Sequence, residues 1–95
     1  LPKFPALTRD ISLVMNKDVL AGQVEEVIVK KAGKLLEKVE LFDVYEGERI
    51  GADKKSLAYS IRFRAADRTL LDEDVNAVMD KIIAALKDLG AVLRS

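Results

Sequence analysis

The chain contains no cysteine and no histidine among its 95 residues. Without cysteine there is no disulfide, no thiolate nucleophile and no cysteine-bound metal. Without histidine, the commonest general base and the commonest zinc ligand are both missing. No apolar run approaches the length of a membrane span, so we expect neither a transmembrane helix nor a signal peptide. These absences disfavour most classes of enzyme, although they do not identify a function.

Aromatic residues are also scarce, at 5% of the chain, and tryptophan is absent. Hydrophobic residues make up 49% and charged residues 34%, a balance typical of a soluble globular protein. Because a domain averages about 150 residues, residues 1–95 are expected to form a single domain. The chain begins at Leu1 without an initiator methionine, which indicates a fragment of a longer protein.

The chain has no net charge, because 16 basic residues balance 16 acidic ones. This neutrality argues against a free-standing nucleic-acid binder. Between residues 49 and 68, however, there are six basic residues and only two acidic ones. The excess has two interpretations: a solvated hairpin, or an anion-binding surface that works within a larger assembly.

Hydrophobic periodicity indicates four strands and two helices. A bulge is expected in the second strand because its apolar residues change parity, and Glu46–Lys55 is predicted to be a long loop. The order strand, helix, strand, strand, helix, strand predicts an α+β ferredoxin-like fold, with a four-stranded antiparallel sheet and both helices on one face. The predicted strands are Arg9–Met15, Leu35–Tyr45, Ser56–Arg64 and Ala91–Arg94, and the predicted helices run from about Ala21 to Gly33 and from Asp72 to Leu89.

The third strand shows the clearest alternation of apolar and polar residues. Its apolar face is predicted to lie in the core, beneath the helices. The other face should remain open, and it is small and polar, which is compatible either with plain wet surface or with a binding surface. The apolar set is Leu57, Tyr59, Ile61 and Phe63, and the open-face set is Ser56, Ala58, Ser60 and Arg62.

The second hairpin carries the residues best suited to binding a ligand. If Phe42 and Val44 face the helices, Asp43 and Tyr45 share the open face with Ser56. The tyrosine could stack on an unpaired base, the carboxylate could accept bonds from guanine N–H groups, and the serine hydroxyl could add a contact. Phosphates would be attracted by three neighbouring cations, Lys54, Lys55 and Arg62.

These residues also have a simpler interpretation, in which Tyr45 covers a sheet edge and Asp43 caps a turn. The residues alone do not decide between this and RNA binding. Catalysis within the chain is not expected, since no phosphate-binding glycine loop and no supported nucleophile pair occur.

Several short motifs follow one another in a characteristic order. They cover essentially the whole chain, and together they resemble the ferredoxin-fold anticodon-binding domain at the C-terminus of phenylalanyl-tRNA synthetase β subunits. The motifs are Phe4-Pro5, Thr8-Arg9-Asp10, Leu41-Phe42-Asp43-Val44-Tyr45 with Gly47, Lys55-Ser56-Leu57-Ala58, Arg68-Thr69-Leu70 and Leu89-Gly90-Ala91-Val92-Leu93-Arg94.

The resemblance implies a role in holding the anticodon of tRNA(Phe) and reading its first base, a guanine. The family's aspartate and tyrosine fall on Asp43 and Tyr45, and its serine falls on Ser56. Arg9 also matches, either as an RNA contact or as an ion pair, and Arg94 matches as a residue facing phosphate or solvent.

The resemblance also implies the setting of the domain. The parent enzyme would be a cytoplasmic α2β2 ligase that attaches phenylalanine to tRNA with ATP and magnesium. Its aminoacylation site would lie in the α subunit, so this chain itself would hold no catalytic residue, metal or cofactor. The partners of the domain would be the anticodon loop, the rest of the β chain and the α subunit, with no membrane.

Other functions of ferredoxin-like domains remain open. The main alternative is a regulatory or protein-docking module without RNA contact. An RNA-recognition motif fits less well, because the third strand lacks aromatic residues on its open face. An acyl-phosphate hydrolase fits least, for want of a glycine-rich anion loop.

Overall fold

The computed structural model describes residues 4–94 and gives the bounds of each element. All four predicted strands and both predicted helices are present in the expected order. A short 3-10 turn at Gly33–Leu35 follows the first helix. The strands are β1 (Leu7–Asn16), β2 (Leu36–Gly47), β3 (Gly51–Phe63) and β4 (Val92–Leu93), and the helices are α1 (Ala21–Ala32) and α2 (Asp72–Asp88).

The four strands form one antiparallel sheet in the order β2-β3-β1-β4. Each helix connects two strands that are not neighbours, α1 between β1 and β2 and α2 between β3 and β4. This is the split arrangement of the ferredoxin-like fold, so the predicted fold class is confirmed.

The core lies between the helices and one face of the sheet. On β3 the alternation predicted from the sequence is confirmed, because all four apolar side chains are at most 2% exposed. They pack against the buried stripes of both helices. The helix residues that complete the core are Val24, Ile28 and Ala32 of α1 and Val75, Met79, Ile82 and Leu86 of α2.

Tyr59 shows how a polar atom is accommodated in this core. Its side chain is fully buried, and its hydroxyl donates to the Glu25 carboxylate at 3.1 Å, with the Ala21 carbonyl at 3.3 Å. Burial, together with the nearby Glu25 carboxylate, raises the pKa of Tyr59 far above its ordinary value. The neutral phenol therefore ties the first turns of α1 to the sheet.

The hairpin between β2 and β3 is longer than predicted. The expected loop over residues 46–55 is wrong, because β2 continues to Gly47 and β3 begins at Gly51, leaving a turn of residues 48–50. Gly51 has a φ of 113°, which a glycine adopts readily. Most side chains near the turn are polar, so pairing there leaves no alternating apolar signal in the sequence.

The strand ends differ from the prediction at two other places. β1 is longer than expected at both ends, because backbone pairing with β3 runs from Leu7 opposite Phe63 to Asn16 opposite Lys54. The last strand is shorter, Val92–Leu93 rather than Ala91–Arg94. Hydropathy marks which residues are buried, whereas the strand ends are decided by where a backbone partner stops.

Each helix begins with the same local hydrogen bond. The backbone N–H of Leu20 donates to the Gln23 side chain at 2.8 Å, and that of Leu71 donates to the Asp74 carboxylate at 3.0 Å. In both cases the side chain of the third helical residue accepts the N–H of the residue before the helix, which is the half of a capping box that needs no hydroxyl. A leucine can therefore precede either helix. Within residues 4–94, neither helix is long and apolar enough to cross a membrane.

A carboxylate on β2 connects the far end of β3 to the segment before β1. Glu37 accepts bonds from Arg64 at 2.5 and 3.2 Å and lies 3.6 Å from Arg62, while Arg64 also donates to the Phe4 carbonyl. Hydrogen bonding and attraction from Arg64, with a smaller attraction from Arg62, hold the pKa of Glu37 below its ordinary value.

This ion pair predicts a specific dependence of stability on pH. A carboxyl whose pKa is lowered by folding stabilises the protein above its unfolded pKa, and that contribution is lost as the pH falls through the folded pKa. We expect Glu37→Gln to reduce the free energy of unfolding at pH 7 and to have less effect near pH 3, as measured by urea denaturation. Glu40→Gln, whose carboxylate lies 3.4 Å from Lys38, is the matched control and should have a smaller effect. An equal loss for Glu37→Gln at both pH values would contradict the prediction.

Candidate functional site

The face of the sheet opposite the helices carries most of the predicted site residues. Tyr45 on β2 lies opposite Ser56 on β3, and Ser56 in turn lies opposite Val14 on β1. Two pairs further along these strands, Asp43 lies opposite Ala58. Residues directly opposite each other share a face, so Asp43, Tyr45 and Ser56 form one group on the open face.

A bulge in β2 puts these residues on the open face. Leu41 pairs with Tyr59, but the next pair is Asp43 with Ala58, so the register shifts by one at Phe42. Without this extra residue, Asp43 would lie opposite Leu57 and would face the helices. The bulge predicted from the change in parity is thus present, and it selects which side chains can form a site.

The two apolar residues beside this group are less buried than expected. Val44 lies opposite Leu57 and so has the parity of the helix face, as predicted, but it is 55% exposed. Phe42, at the register shift, is also 55% exposed. The hairpin extends beyond the part of the sheet that the helices cover.

Ser56 is buried although no helix covers its face of the sheet. It is only 4% exposed, and Ala58, two residues further along β3, is 6% exposed. Both are small and lie on a central strand between larger neighbours, with Tyr45 on one side of Ser56 and Val14 on the other. The open face of β3 is therefore the floor of a groove at this point, rather than freely wetted surface.

Arg94 approaches this group from the opposite edge of the sheet. Its backbone N–H donates to the Ser12 carbonyl at 2.9 Å, next to the β1–β4 pairing. Its guanidinium carbon lies over the Tyr45 ring, 5.1 Å from the ring centroid. This distance allows a cation–π interaction, worth about 0.5–1 kcal/mol at an exposed site. The sequence left open whether Arg94 faces phosphate or solvent, and in the structure it contacts the predicted stacking residue.

Two further cations lie near the group. Lys54 has the parity of the open face, and its ammonium donates to the Asn16 side chain at 2.6 Å. Arg49, in the hairpin turn, lines a shallow depression with Arg94 and residues of β1 and β4. In the sequence, Arg49 is only one of the six basic residues between positions 49 and 68. Nothing in the local sequence indicates that the turn brings Arg49 beside Arg94.

The other three predicted residues lie elsewhere. Lys55 is opposite Met15 and therefore has the parity of the helix face. Arg62 is six residues along β3 from Ser56, about 20 Å away, and pairs with Glu37. Arg9 also has helix-face parity and pairs with Asp72 at 3.1 Å, which is the ion-pair alternative considered for it. The structure does not bring these three side chains to the Tyr45 group.

The open face thus offers an aromatic ring, a carboxylate, a hydroxyl and several cations around one groove. In the part of the chain that the structure describes, no three acidic side chains are grouped closely enough to hold a metal ion. The arrangement is suited to stacking on a planar ligand, accepting hydrogen bonds from it and attracting its negative charge.

Comparison with known proteins assigns the chain to a family. The model of the ferredoxin-fold anticodon-binding domain family matches residues 2–94. The chain belongs to this family. The resemblance inferred from its motifs is therefore confirmed.

Three curated relatives of this anticodon-binding domain are described as phenylalanine–tRNA ligase beta subunits. That of Symbiobacterium thermophilum is 50% identical over all of the chain, that of Clostridium tetani 53% over 99%, and that of Streptomyces avermitilis 52% over 97%. The chain spans only 11–12% of the length of these relatives. Similarity therefore extends over the whole domain but over a small part of the longer proteins.

Proposed function

We propose that the domain holds the anticodon loop of a tRNA on the open face of its sheet and reads the first anticodon base, a guanine. The observation that carries this proposal is the convergence of Tyr45, Asp43 and Ser56 on one groove beside Arg94. Membership of the anticodon-binding family supports the class of ligand, and the geometry supports the choice of residues.

The roles follow from the chemistry of each side chain. The Tyr45 ring stacks on the base, while the Asp43 carboxylate accepts bonds from the two N–H groups on the Watson–Crick edge of guanine. The Ser56 hydroxyl adds a contact from the floor of the groove. Arg94, Arg49 and Lys54 attract the phosphates without reading sequence.

The parent protein is proposed to be a phenylalanine–tRNA ligase in which this domain is part of the β subunit. The names of the relatives support this parentage. In that setting the ligase would use ATP and magnesium at a site in the α subunit of a cytoplasmic α2β2 assembly. The domain would contribute tRNA binding and no catalytic group.

The test is an NMR titration of the labelled chain with two anticodon stem-loops. One stem-loop carries the phenylalanine anticodon GAA, and the other has its first G replaced by A. We expect shifts centred on Asp43, Tyr45 and Ser56 that are stronger with the GAA form. Equal shifts with both, fading together with salt, would leave only a phosphate-holding surface. No shifts at millimolar RNA would favour the regulatory or protein-docking alternative.

Base reading by Asp43 can be tested separately. Asp43→Ala is expected to reduce the preference for the GAA stem-loop over the A-substituted one by roughly five-fold or more, because a good base contact discriminates by about 1–3 kcal/mol. The measurement is the ratio of the two dissociation constants at one salt concentration.

Asp53→Ala provides a matched control for the loss of charge. Asp53 lies on the same hairpin but on the other face, since Lys55, two residues further along β3, is opposite Met15. Its removal takes away the same negative charge without touching the groove, so the ratio should remain unchanged. If both variants alter the affinity for both stem-loops equally, Asp43 does not read the base.

A further inference from the structure

Gly47 is a glycine whose backbone does not require one. Among residues 4–94, positive φ angles occur at Gly33, Gly51 and Gly90 and at no other residue. Gly47 ends β2, directly before the hairpin turn, in a conformation that residues with side chains adopt. A reason for glycine at this position must therefore come from its surroundings.

The space beside Gly47 is filled by the Tyr45 side chain. A Cβ added to Gly47 would lie 2.5 Å from the Tyr45 hydroxyl oxygen, 2.9 Å from Cζ and 3.3 Å from Cε2. The first two distances are shorter than a van der Waals contact allows, so the ring would have to move. The tyrosine thus lies along its own strand and occupies the volume that a side chain at position 47 would fill.

The Tyr45 ring is also in contact with the Arg94 guanidinium. The Arg94 guanidinium lies over it at 5.1 Å from its centroid, and Arg94 is held at the opposite edge of the sheet by its backbone bond to Ser12. A displaced ring would lose this contact as well. The position of the proposed stacking surface is therefore set jointly by the missing side chain at Gly47 and by Arg94.

We infer that Gly47 is a positioning residue, which acts through Tyr45 by leaving room for its ring in the orientation that stacks on the anticodon base. The inference rests on the proposed function for its link to RNA, but the effect on the ring is independent of RNA. The orientation matters because stacking requires the base and the ring to lie parallel and close together.

The experiment compares Gly47→Ala with Gly22→Ala. Gly22 is exposed in α1, and a Cβ there would meet nothing within 4 Å, so it controls for the change of glycine to alanine. In the absence of RNA, we expect Gly47→Ala to shift the Tyr45 ring resonances and to weaken the nuclear Overhauser contacts between the ring and Arg94. The chain has only two tyrosines, which simplifies the assignment. Gly22→Ala should change neither signal.

Repeating the substitution in a Tyr45→Phe protein tests whether the clash with the tyrosine hydroxyl displaces the ring. In Tyr45→Phe, the atom closest to the added methyl group is absent, so introducing Gly47→Ala there should move the ring less than it does beside tyrosine. Stem-loop affinity should fall roughly five-fold or more in Gly47→Ala, because that is about the contribution of one stacking contact. In Gly22→Ala the affinity should remain within about two-fold of the parent chain.

The outcomes separate this inference from the proposed function. Unchanged Tyr45 resonances and unchanged Arg94 contacts in a folded Gly47→Ala protein would overturn the positioning role, even if the parent chain binds RNA. A displaced ring in a chain that binds neither stem-loop would support the positioning of Tyr45 and overturn its link to an anticodon. An equal displacement in the tyrosine and phenylalanine backgrounds would show that the hydroxyl clash is not the cause.

Discussion

Replacing Tyr45 with alanine is expected to weaken the binding of a GAA anticodon stem-loop roughly 5- to 150-fold. The range corresponds to about 1–3 kcal/mol, the usual contribution of stacking between a base and an aromatic side chain. The substitution also removes the surface on which the Arg94 guanidinium rests. Dissociation constants from NMR titration or calorimetry at low, fixed salt would measure the loss.

Tyr45→Phe is the matched control for this prediction. It keeps the aromatic face and removes only the hydroxyl, so binding should remain within a few-fold of the parent chain if stacking supplies most of the affinity. A folded Tyr45→Ala protein that binds the stem-loop as tightly as the parent would rule out stacking on Tyr45. An equally large loss in Tyr45→Phe would assign the effect to the hydroxyl instead.

Replacing Phe63 with alanine is expected to lower the free energy of unfolding by about 3–5 kcal/mol, the usual cost of truncating a buried phenylalanine. Phe63 is 0% exposed and lies at the end of the central strand β3, opposite Leu7 on β1 and Leu36 on β2. The truncation would leave a cavity that these neighbours cannot readily fill. Urea denaturation followed by circular dichroism would measure the change.

The chain offers a control of the same residue type. Phe42 is 55% exposed at the bulge of β2, so Phe42→Ala should change the free energy of unfolding by no more than about 0.5 kcal/mol. Similar losses for the two substitutions would mean that burial in the sheet does not distinguish them. The comparison also tests the finding that the hairpin extends beyond the cover of the helices.

The neutral charge of the chain is consistent with a domain that binds weakly by itself. Arg49 and Arg94 line one depression beside the groove and Lys54 has the parity of the same face, although the whole chain carries no net charge. In the proposed ligase, other contacts to the same tRNA would raise the effective concentration of the anticodon at this surface. Modest affinity in the isolated chain is therefore expected, together with a clear dependence on salt.

The positions of the strands and helices could be predicted because their burial patterns are periodic. The apolar residues of α2 recur at helical spacing, so the bounds of α2 could be predicted to within one residue, and the strict alternation in β3 marks the buried part of that strand. The hairpin turn could not be predicted, since backbone pairing between exposed polar residues needs no hydrophobic signal. Its length is evident only once β2 and β3 are seen side by side.

The residues of the candidate site could also be predicted in part. The order of the motifs indicated Asp43, Tyr45, Ser56 and Arg94, and the structure places all four on the open face or over it. Lys55 and Arg9 have the opposite parity and Arg62 lies far along the strand, so the structure does not bring these three to the Tyr45 group.

The sequence by itself determined the fold class, the family and the residue types available for binding, because periodicity and motif order are properties of the chain alone. Only the tertiary structure decided which of those residues meet. The bulge in β2 could be predicted from the change in parity, but its position at Phe42 is evident only from the pairing with β3. The contact between Arg94 and the Tyr45 ring arises because Arg94 follows a short edge strand on the other side of the sheet. The Arg94 contact depends on pairing between β1 and β4, which are distant in sequence, and the local sequence does not encode which strands become neighbours.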